Sequence, residues 1–228
     1  MLYMDLMEAM KSRHAVRRYL DRPIEAGSTQ ELTACIRECN AESGLHIQLC
    51  LNEPEAFSSR LAQYGSFENV KNYIAIVGQK ERAGLEEACG YYGEKVVLKA
   101  AQLGLNTCWV AVSYNKERAA AAVDIASGEK LCIVIALGYG ATQGTAHNSK
   151  PLEAVCRVSD GAVPDWFRRG VEAAMLAPTA MNQQKFLLTL NGNTVKAEAP
   201  AGMYTQLDLG IVKCHFEIGT GTKDWHWE

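Results

Sequence analysis

The chain has 228 residues, with 48% hydrophobic side chains and a formal net charge of −3. A domain of this length buries roughly 70 to 75% of the surface of its unfolded chain, so we expect a full hydrophobic core without metals or disulfides. The balanced charge argues against a nucleic-acid partner, which normally accompanies a pI above about 9. No apolar stretch approaches the roughly 20 residues that cross a bilayer, which argues against a membrane partner. Asp5 and Glu8 argue against a secretory signal, so a cytoplasmic protein is expected.

The eight cysteines are expected to be reduced thiols, because a chain without a secretory signal stays in a reducing compartment. Cys35 and Cys39 lie four residues apart on a predicted helix and could bind a metal together. No neighbouring cluster of His or Cys supplies the remaining ligands at a recognisable spacing. Packing is therefore the favoured role for both, and no metal site is predicted.

Apolar periodicity predicts a mixed α and β chain. Asp5 and Ser28 are the expected N-caps of the first two helices, and Gly104 is the expected stop of the long third helix. In chain order, the patterns predict helix 5–10, helix 28–38, strand 46–51, strand 72–78, helix 85–103, strand 107–112, helix 115–122, strand 131–137, helix 166–176 and a strand within 185–192.

The last third of the chain has an order of elements that resembles the first part. Helix 166–176 leads into KFLLTLNG as helix 28–38 leads into HIQLCLNE, and LDLGIVKCHFEIG is predicted to run from helix into strand as LKAAQLGLNTCWVAV does. We therefore predict a pseudo-two-fold internal duplication with halves 1–156 and 157–228, packed as one unit. Such a chain could mimic the two-fold arrangement of a dimer within one polypeptide.

A basic run, KSRHAVRRYLDR, holds five of the 23 cationic residues between positions 11 and 22. Cations are favourable at the C-terminal end of the helix that precedes it. Both a solvated helix end and an anion-binding site fit this pattern, and charge alone favours the solvated helix end.

Two segments, one of them within this run, resemble a known family. SRHAVRRY, residues 12–19, is similar to the N-terminal phosphate-binding signature of the FMN-dependent nitroreductase family. APTAMNQQKF, residues 177–186, is similar to that family's Pro-Ser-x-x-Asn-x-Gln-Pro-Trp segment. GLNTCWVAV at 104–112, and LGYG with SKPLEAV between 137 and 155, add weaker matches. The resemblance implies an α+β nitroreductase-like fold with a central, mostly antiparallel sheet flanked by helices.

The late position of the second segment resembles a compact variant branch of the family, in which one chain supplies both halves of the site. Arg13 and Arg17 from the first part are then expected to converge on one flavin with Asn182 and Gln184 from the last. The sequence leaves open whether that site is completed within one chain or across a homodimer.

The resemblance implies a cofactor, FMN, whose phosphate is held by the first segment. Arg13 and Arg17 are the expected phosphate ligands, because guanidinium groups form paired charge-assisted bonds with phosphate oxygens. His14 would add a ring nitrogen or its main-chain amide, and Ala15 can offer only its main chain. Lys150 matches the family's distal cation and would close the site, although an ordinary surface lysine is the alternative.

The second segment would hold the flavin ring. The side-chain amides of Asn182 and Gln184 offer donors and acceptors to the pyrimidine edge. Pro178, Thr179 and Ala180 would run beside the ring and the ribityl chain. The alternative is an ordinary polar loop between a helix and a strand.

No catalytic side chain is predicted, because a flavin itself carries the redox chemistry. The resemblance places a main-chain amide near Ala111 and Val112 beside the ring nitrogen that accepts hydride. The expected function is hydride transfer from NADH or NADPH through FMN to a nitro compound, quinone or similar small acceptor. A flavin-binding carrier or sensor without turnover is the alternative, because Ala15 and Lys185 depart from the family pattern.

Overall fold

The structure, a computed structural model, describes residues 4–228 and shows an α+β fold. The helices are α1 (Leu6–Ser12), α2 (Ala26–Ser43), α3 (Arg60–Tyr64), α4 (Leu85–Gln102), α5 (Lys116–Ala121), α6 (Asp165–Ala174) and α7 (Thr205–Thr220). The strands are β1 (His46–Cys50), β2 (Asn72–Gln79), β3 (Asn106–Val110), β4 (Glu129–Gly138), β5 (Cys156–Val158), β6 (Leu187–Asn191), β7 (Thr194–Glu198) and β8 (His226–Trp227). Over residues 4–228, none of the helices combines the length and the apolar character that crossing a bilayer requires.

The described chain divides into two compact units. The first contains Ser12–Leu85 and Lys95–Ala146, and the second contains Met4–Lys11, Glu86–Glu94 and His147–Glu228. These units differ from the predicted halves 1–156 and 157–228, because two segments of the N-terminal part belong to the second unit. The second unit also takes in the chain from residue 147, including β5, which pairs with β6.

The first unit is built on an antiparallel sheet with the strand order β1-β2-β4-β3. Its central strand β2 is buried over seven consecutive residues from Asn72, as expected of a strand with both faces covered. Beside this sheet, Phe57 packs against the rings of Phe67 and Tyr73. The core of this unit therefore lies at the end of β1, the start of β2, the end of β3 and the second half of β4, together with the loops beside them.

The second unit combines the sheet β5-β6-β7-β8 with the helices α6 and α7. Only β6 and β7 are antiparallel among its strand pairs, so this sheet differs in topology from the first. Gly170 on α6 faces the ring of Phe216 on α7, where a Cβ atom would lie 2.6 Å from the ring. The two helices therefore pack closely because one of them has no side chain at the contact.

Two sequence predictions about helices are wrong. The segment LDLGIVKCHFEIG was predicted to run from helix into strand, but it lies wholly within α7. The prediction failed because the apolar residues of α7 are buried on all sides of the helix, and a buried strand has the same apolar pattern. The internal duplication stays a prediction without this repeat. Helix α2 begins at Ala26 rather than at Ser28, and its N-cap Glu25 makes no side-chain capping bond.

Two predicted caps are confirmed, and one strand is shorter than predicted. Asp5 accepts a bond of 2.8 Å from the N–H of Glu8. Gly104 follows the end of α4 with a φ of 74°, a conformation that glycine adopts without strain. Strand β3 ends at Val110, so Ala111 and Val112 lie in the bend that follows it.

Candidate functional site

The phosphate segment, defined here as residues 13–20, is held to the first unit by its main chain. The N–H of Val16 donates to the carbonyl of Thr107 at the start of β3, over 3.0 Å. The N–H of Tyr19 donates to Glu68, and the N–H of Glu68 donates back to the carbonyl of Arg17. Main-chain bonds therefore hold the extended course of the segment.

The two predicted phosphate ligands lie in different surroundings within the first unit. The Arg13 side chain is only 8% exposed, whereas Arg17 is exposed and its guanidinium carbon lies 5.9 Å from the centre of the Phe67 ring. Burial raises the pKa of the Cys108 thiol, and the charges of Arg17 and Arg13 oppose that rise. Both guanidinium groups are therefore close enough to act on the same buried thiol.

Arg17 differs from its cationic neighbours in its ion pairing. Arg18 pairs with Glu68 at 3.3 Å, and Arg22 pairs with Glu25 at 2.5 Å. Within residues 4–228, Arg17 forms no such pair with a carboxylate. An exposed cation without a carboxylate can accept an external anion at a lower cost than a paired one, because no bond must first be broken.

A loop after β4 lies against His14 and Ala15 of the phosphate segment. Gly144 has a φ of 73°, and a Cβ atom there would lie 2.7 Å from the Cβ of His14 and 3.0 Å from the carbonyl oxygen of Ala15. Asn106 anchors this loop by accepting a bond of 2.9 Å from the N–H of Gly140. Gly144 lies outside the segments that resemble the family, and Asn106, although it lies within GLNTCWVAV, was not predicted to anchor a loop.

The bend after β3 presents the predicted main-chain donors. Ala111 is half-buried and Val112 is 60% exposed. Tyr114, two residues further on, is buried in the core and holds the end of the bend. The bend therefore combines a fixed end with an open surface.

The flavin loop, defined here as residues 177–186 of the second unit, has an unusual main chain. Met181, Asn182 and Gln184 have φ angles of 50°, 53° and 44°, the left-handed region that favours glycine. Such residues cost of order 1–3 kcal/mol each and are found mostly at functional sites. The loop is therefore held in its shape by its surroundings.

Side-chain and main-chain amides fix the end of this loop. The amide of Gln184 is buried, accepts from the N–H of Lys150 at 2.9 Å and donates to the carbonyl of Asn148 at 2.9 Å. It also donates to the side chain of Asn182 at 2.8 Å. The Lys150 ammonium donates to the carbonyls of Gln183 and Gln184, at 2.8 and 3.0 Å. Gln184 and Lys150 therefore serve the shape of the loop, and the exposed Asn182 adds a bond of 2.9 Å from its side-chain amide to the carbonyl of Asn148.

Asp208 on α7 anchors the start of the flavin loop. Its carboxylate accepts from the N–H of Ala180 at 3.0 and 3.1 Å, and from the side chain of Gln183 at 2.7 Å. Burial raises the pKa of Asp208, and these two bonds oppose the rise. Thr179 contributes its hydroxyl, which accepts from the N–H of Gln184 at 3.1 Å, whereas the preceding Pro178 is half-buried.

Asp208 was not among the predicted site residues, because it lies in an otherwise apolar helix. Its place in the first turn of that helix was the available signal, since a buried carboxylate needs hydrogen-bonding partners. The second unit thus brings together Lys150, Thr179, Ala180, Asn182 and Gln184.

A cleft of about 430 Å³ opens beside the flavin loop in the second unit. Lys150, Gln184, Lys185, Phe186 and Glu198 are among the residues that line it. Among the described residues, no three His, Cys, Asp or Glu side chains come together to hold a metal ion.

Comparisons with known proteins bear on the chain as a whole. A family model described as "Putative TM nitroreductase" matches residues 5–220. No curated protein matches the chain. A crystal structure described as a "putative nitroreductase" from Thermotoga maritima has a TM-score of 0.67 and 20% sequence identity, covering 96% of this chain and 85% of that one.

Two further crystal structures are similar over a smaller part of this chain. A "putative nitroreductase in complex with FMN" from Desulfovibrio desulfuricans has a TM-score of 0.52 and 15% identity, covering 70% of this chain and 98% of its own. A "Putative NADH dehydrogenase/NAD(P)H nitroreductase" from Parabacteroides distasonis has a TM-score of 0.51 and 20% identity, covering 66% and 95%. Likeness at these identities shows the fold, and the predicted α+β nitroreductase-like fold is confirmed.

Proposed function

Because the chain belongs to the nitroreductase family whose model matches residues 5–220, we propose that it is an FMN-dependent oxidoreductase. It would take hydride from NADH or NADPH and pass it to a nitro compound, a quinone or a similar small acceptor. The family match is the observation that carries the proposal, since both motif segments lie within it. The similar protein from Desulfovibrio desulfuricans that is described in complex with FMN supports the choice of cofactor. FMN, when bound, supplies the redox chemistry, so the chain itself needs no nucleophile.

The phosphate segment fits the anionic end of FMN. A phosphate monoester carries between one and a half and two negative charges, about as much as two guanidinium groups neutralise. Arg17 is exposed and makes no ion pair within residues 4–228, so its guanidinium is available to such a group. Arg13, His14 and Ala15 would complete this end, with Ala15 contributing its main chain only.

The flavin loop fits the ring end of FMN, with one side-chain amide proposed to contact the ring and a second proposed to position the first. Asn182 is exposed and would bond to the pyrimidine edge, whereas Gln184 is buried and would position Asn182 through its bond of 2.8 Å. Pro178, Thr179 and Ala180 would lie beside the ring and the ribityl chain. Lys150 would act chiefly on the loop, because two of its three N–H groups already donate to loop carbonyls.

The bend after β3 would supply a main-chain donor to the ring nitrogen that accepts hydride. The N–H groups of Ala111 and Val112 are the candidates, and the exposure of Val112 would leave one ring face open to the hydride donor and then to the acceptor. We propose that this bend, the phosphate segment and the flavin loop act on one flavin, within one chain or across a homodimer.

The test is to saturate the purified protein with FMN, remove unbound FMN and mix the complex anaerobically with NADH or NADPH. Bleaching of the flavin absorbance, followed by its return on addition of a quinone or nitro compound, is the expected result. Bound FMN that no nicotinamide reduces would contradict the enzyme and leave a flavin-binding carrier or sensor. A protein that binds no FMN at all would contradict both functions.

Mixing two defective variants distinguishes a site within one chain from a site across a homodimer. Arg13→Ala with Arg17→Ala removes the phosphate ligands, and Asn182→Ala removes the proposed ring contact. If one chain forms the whole site, the mixture binds no more FMN than the two variants do separately. Recovered FMN binding, with a doubled mass in solution, would show that two chains share the site.

A further inference from the structure

The cleft beside the flavin loop has a volume of about 430 Å³, within the range of pockets that hold small ligands. We propose that this cleft binds the adenosine 2′-phosphate end of NADPH, and that Lys185 makes NADPH the preferred hydride donor. This inference rests on the proposed function, because it names the donor of that reaction. The chain has no Gly-x-Gly-x-x-Gly fingerprint, so a dinucleotide needs a binding site of another kind.

The walls of the cleft are held in place by bonds within the second unit. Leu187 on β6 and Glu198 on β7 are paired neighbours in the sheet, and both line the cleft. Lys150 is fixed to the flavin loop, because its ammonium donates to the carbonyls of Gln183 and Gln184. The N–H of Lys150 also donates to the Gln184 side chain, over 2.9 Å. The cleft is therefore formed before a ligand arrives, which lowers the entropy cost of binding.

The charges along the cleft favour an anion. Lys150 and Lys185 both line it. Glu198 lines it as well, but its carboxylate is already paired with Lys196 at 2.8 Å. Lys185 is exposed, and within residues 4–228 its side chain has neither a hydrogen bond nor an ion pair. An ammonium group binds phosphate as a point charge, and this one can do so without first losing another partner.

The other walls of the cleft suit the base of a nucleotide. They are apolar side chains, namely Ala154, Phe186, Leu187, Ala199 and Pro200. Removal of apolar surface from water is favourable, so a flat purine ring gains from contact with these walls. A ligand that joins such a ring to a phosphate monoester therefore matches both parts of the cleft. The adenosine 2′-phosphate of NADPH has this combination.

A contact with the 2′-phosphate is sufficient to select the donor, because this group is the chemical difference between NADPH and NADH. A phosphate monoester carries between one and a half and two negative charges at neutral pH. Hydrogen bonds to charged groups contribute more than those between neutral groups, so removal of the Lys185 ammonium should weaken binding of the phosphate about tenfold. Since Lys185 is exposed, this contribution should decrease as salt is added.

The test is a calorimetric titration of the FMN-saturated protein with adenosine 2′-monophosphate, with adenosine as the reference. FMN is present so that the proposed phosphate segment is already occupied. We expect adenosine 2′-monophosphate to bind at least about tenfold more tightly than adenosine. Lys185→Gln should remove this difference, and Lys185→Arg should retain it.

Lys223→Gln is the matched control for this titration, because Lys223 is an exposed lysine of the same unit that does not line the cleft. It should bind adenosine 2′-monophosphate as the unmodified protein does. Equal affinity for adenosine 2′-monophosphate in the unmodified protein and in Lys185→Gln would overturn the proposal. So would equal affinity of the unmodified protein for adenosine 2′-monophosphate and adenosine.

Anaerobic reduction of bound FMN distinguishes this inference from the proposed function. The NADPH concentration that gives half of the maximal bleaching rate should be about tenfold lower than that of NADH, and Lys185→Gln should abolish this preference. Bleaching by both donors at equal concentrations would leave the oxidoreductase in place and overturn the assignment of the cleft to NADPH. A protein that binds no FMN would contradict the proposed function and this assignment together.

Discussion

The phosphate segment and the flavin loop are held in place by different means. The phosphate segment forms main-chain bonds with Thr107 and Glu68, and its side chains take little part in them. The flavin loop depends on side chains, chiefly the carboxylate of Asp208 and the amide of Gln184. The exposed Arg17 side chain, which pairs with no carboxylate within residues 4–228, is therefore available to a ligand, whereas most polar side chains of the flavin loop maintain its shape.

This difference predicts how each segment tolerates substitution. Main-chain hydrogen bonds survive a change of side chain, so substitutions at the exposed positions of the phosphate segment, such as Arg17, should alter ligand binding and leave stability nearly unchanged. A loop held by buried side chains in a left-handed conformation should lose stability and ligand binding together.

Replacement of Gly210 on α7 by alanine should have the largest effect, because α7 carries the anchor of the flavin loop. A Cβ atom at Gly210 would lie 2.0 Å from the carbonyl oxygen of Glu87 on α4. This clash is with the main chain of α4, which cannot move aside as easily as a side chain can rotate. Gly210→Ala should therefore lower the free energy of unfolding by about 3 kcal/mol. Urea unfolding would measure this loss.

Gly27→Ala on α2 is the matched control for this substitution. A Cβ atom at Gly27 meets nothing within 4 Å, so alanine there should raise stability by up to about 1 kcal/mol. Equal effects of the two substitutions on the free energy of unfolding would show that the close approach of α7 to Glu87 is not the reason why position 210 requires glycine.

Removal of the Asp208 carboxylate should have the next largest effect. Asp208→Ala leaves the N–H of Ala180 and the amide of Gln183 without their acceptor, which should cost about 2 kcal/mol of unfolding free energy. Asp208→Asn keeps one acceptor oxygen and should recover part of this loss. FMN affinity, measured by fluorescence titration, should fall in the same order as stability, and a loss of stability without a loss of affinity would contradict the role of the loop.

Arg17→Gln should separate binding from stability in the phosphate segment. Loss of one charge-assisted bond to phosphate should weaken FMN binding at least about tenfold, while the midpoint of urea unfolding stays nearly unchanged. Arg18→Gln is the matched control, since Arg18 is also exposed and is already paired with Glu68. Equal loss of FMN affinity in both variants would indicate a general effect of charge rather than a contact of Arg17.

Relief of main-chain strain should give a smaller and opposite effect in the flavin loop. Met181 is 91% exposed with a φ of 50°, so Met181→Gly should raise the free energy of unfolding by about 0.5 kcal/mol despite the greater entropy of the unfolded chain. Met203, 70% exposed and without a positive φ, is the control, and Met203→Gly should not stabilise the protein.

The sequence was sufficient for elements whose signal is local. Strand β2 and helix α4 were predicted from an unbroken apolar run and from a helix that stops at Gly104, and both are present. Helix α7 shows the limit of this approach, because a helix buried on every side loses the polar face that distinguishes it from a buried strand.

The resemblance proposed which segments form the candidate site, but it did not predict how they bond. Residues 177–186 were proposed as the flavin loop, and contacts in the folded chain determine which of their side-chain amides stays exposed. Gln184 is buried because it joins Lys150, Asn148 and Asn182, partners up to 36 residues away along the chain. Likewise, no local pattern distinguishes Arg17 from Arg18, since their difference is made by Glu68 on another segment.

The smallest expected effect is the pH dependence that Asp208 adds to stability. Burial raises the pKa of Asp208, so its carboxyl binds a proton more readily in the folded protein than in the unfolded chain, where its pKa is about 3.9. Stability that depends on this group is therefore greatest below the unfolded pKa and falls as the pH rises through the higher folded pKa. The bonds from Ala180 and Gln183 oppose the shift, which keeps the effect small. Urea unfolding of the wild-type protein and Asp208→Asn between pH 3 and 7 would measure it: the stability of the wild type relative to the variant should decrease with rising pH, and a difference that increases would show that the two hydrogen bonds outweigh burial.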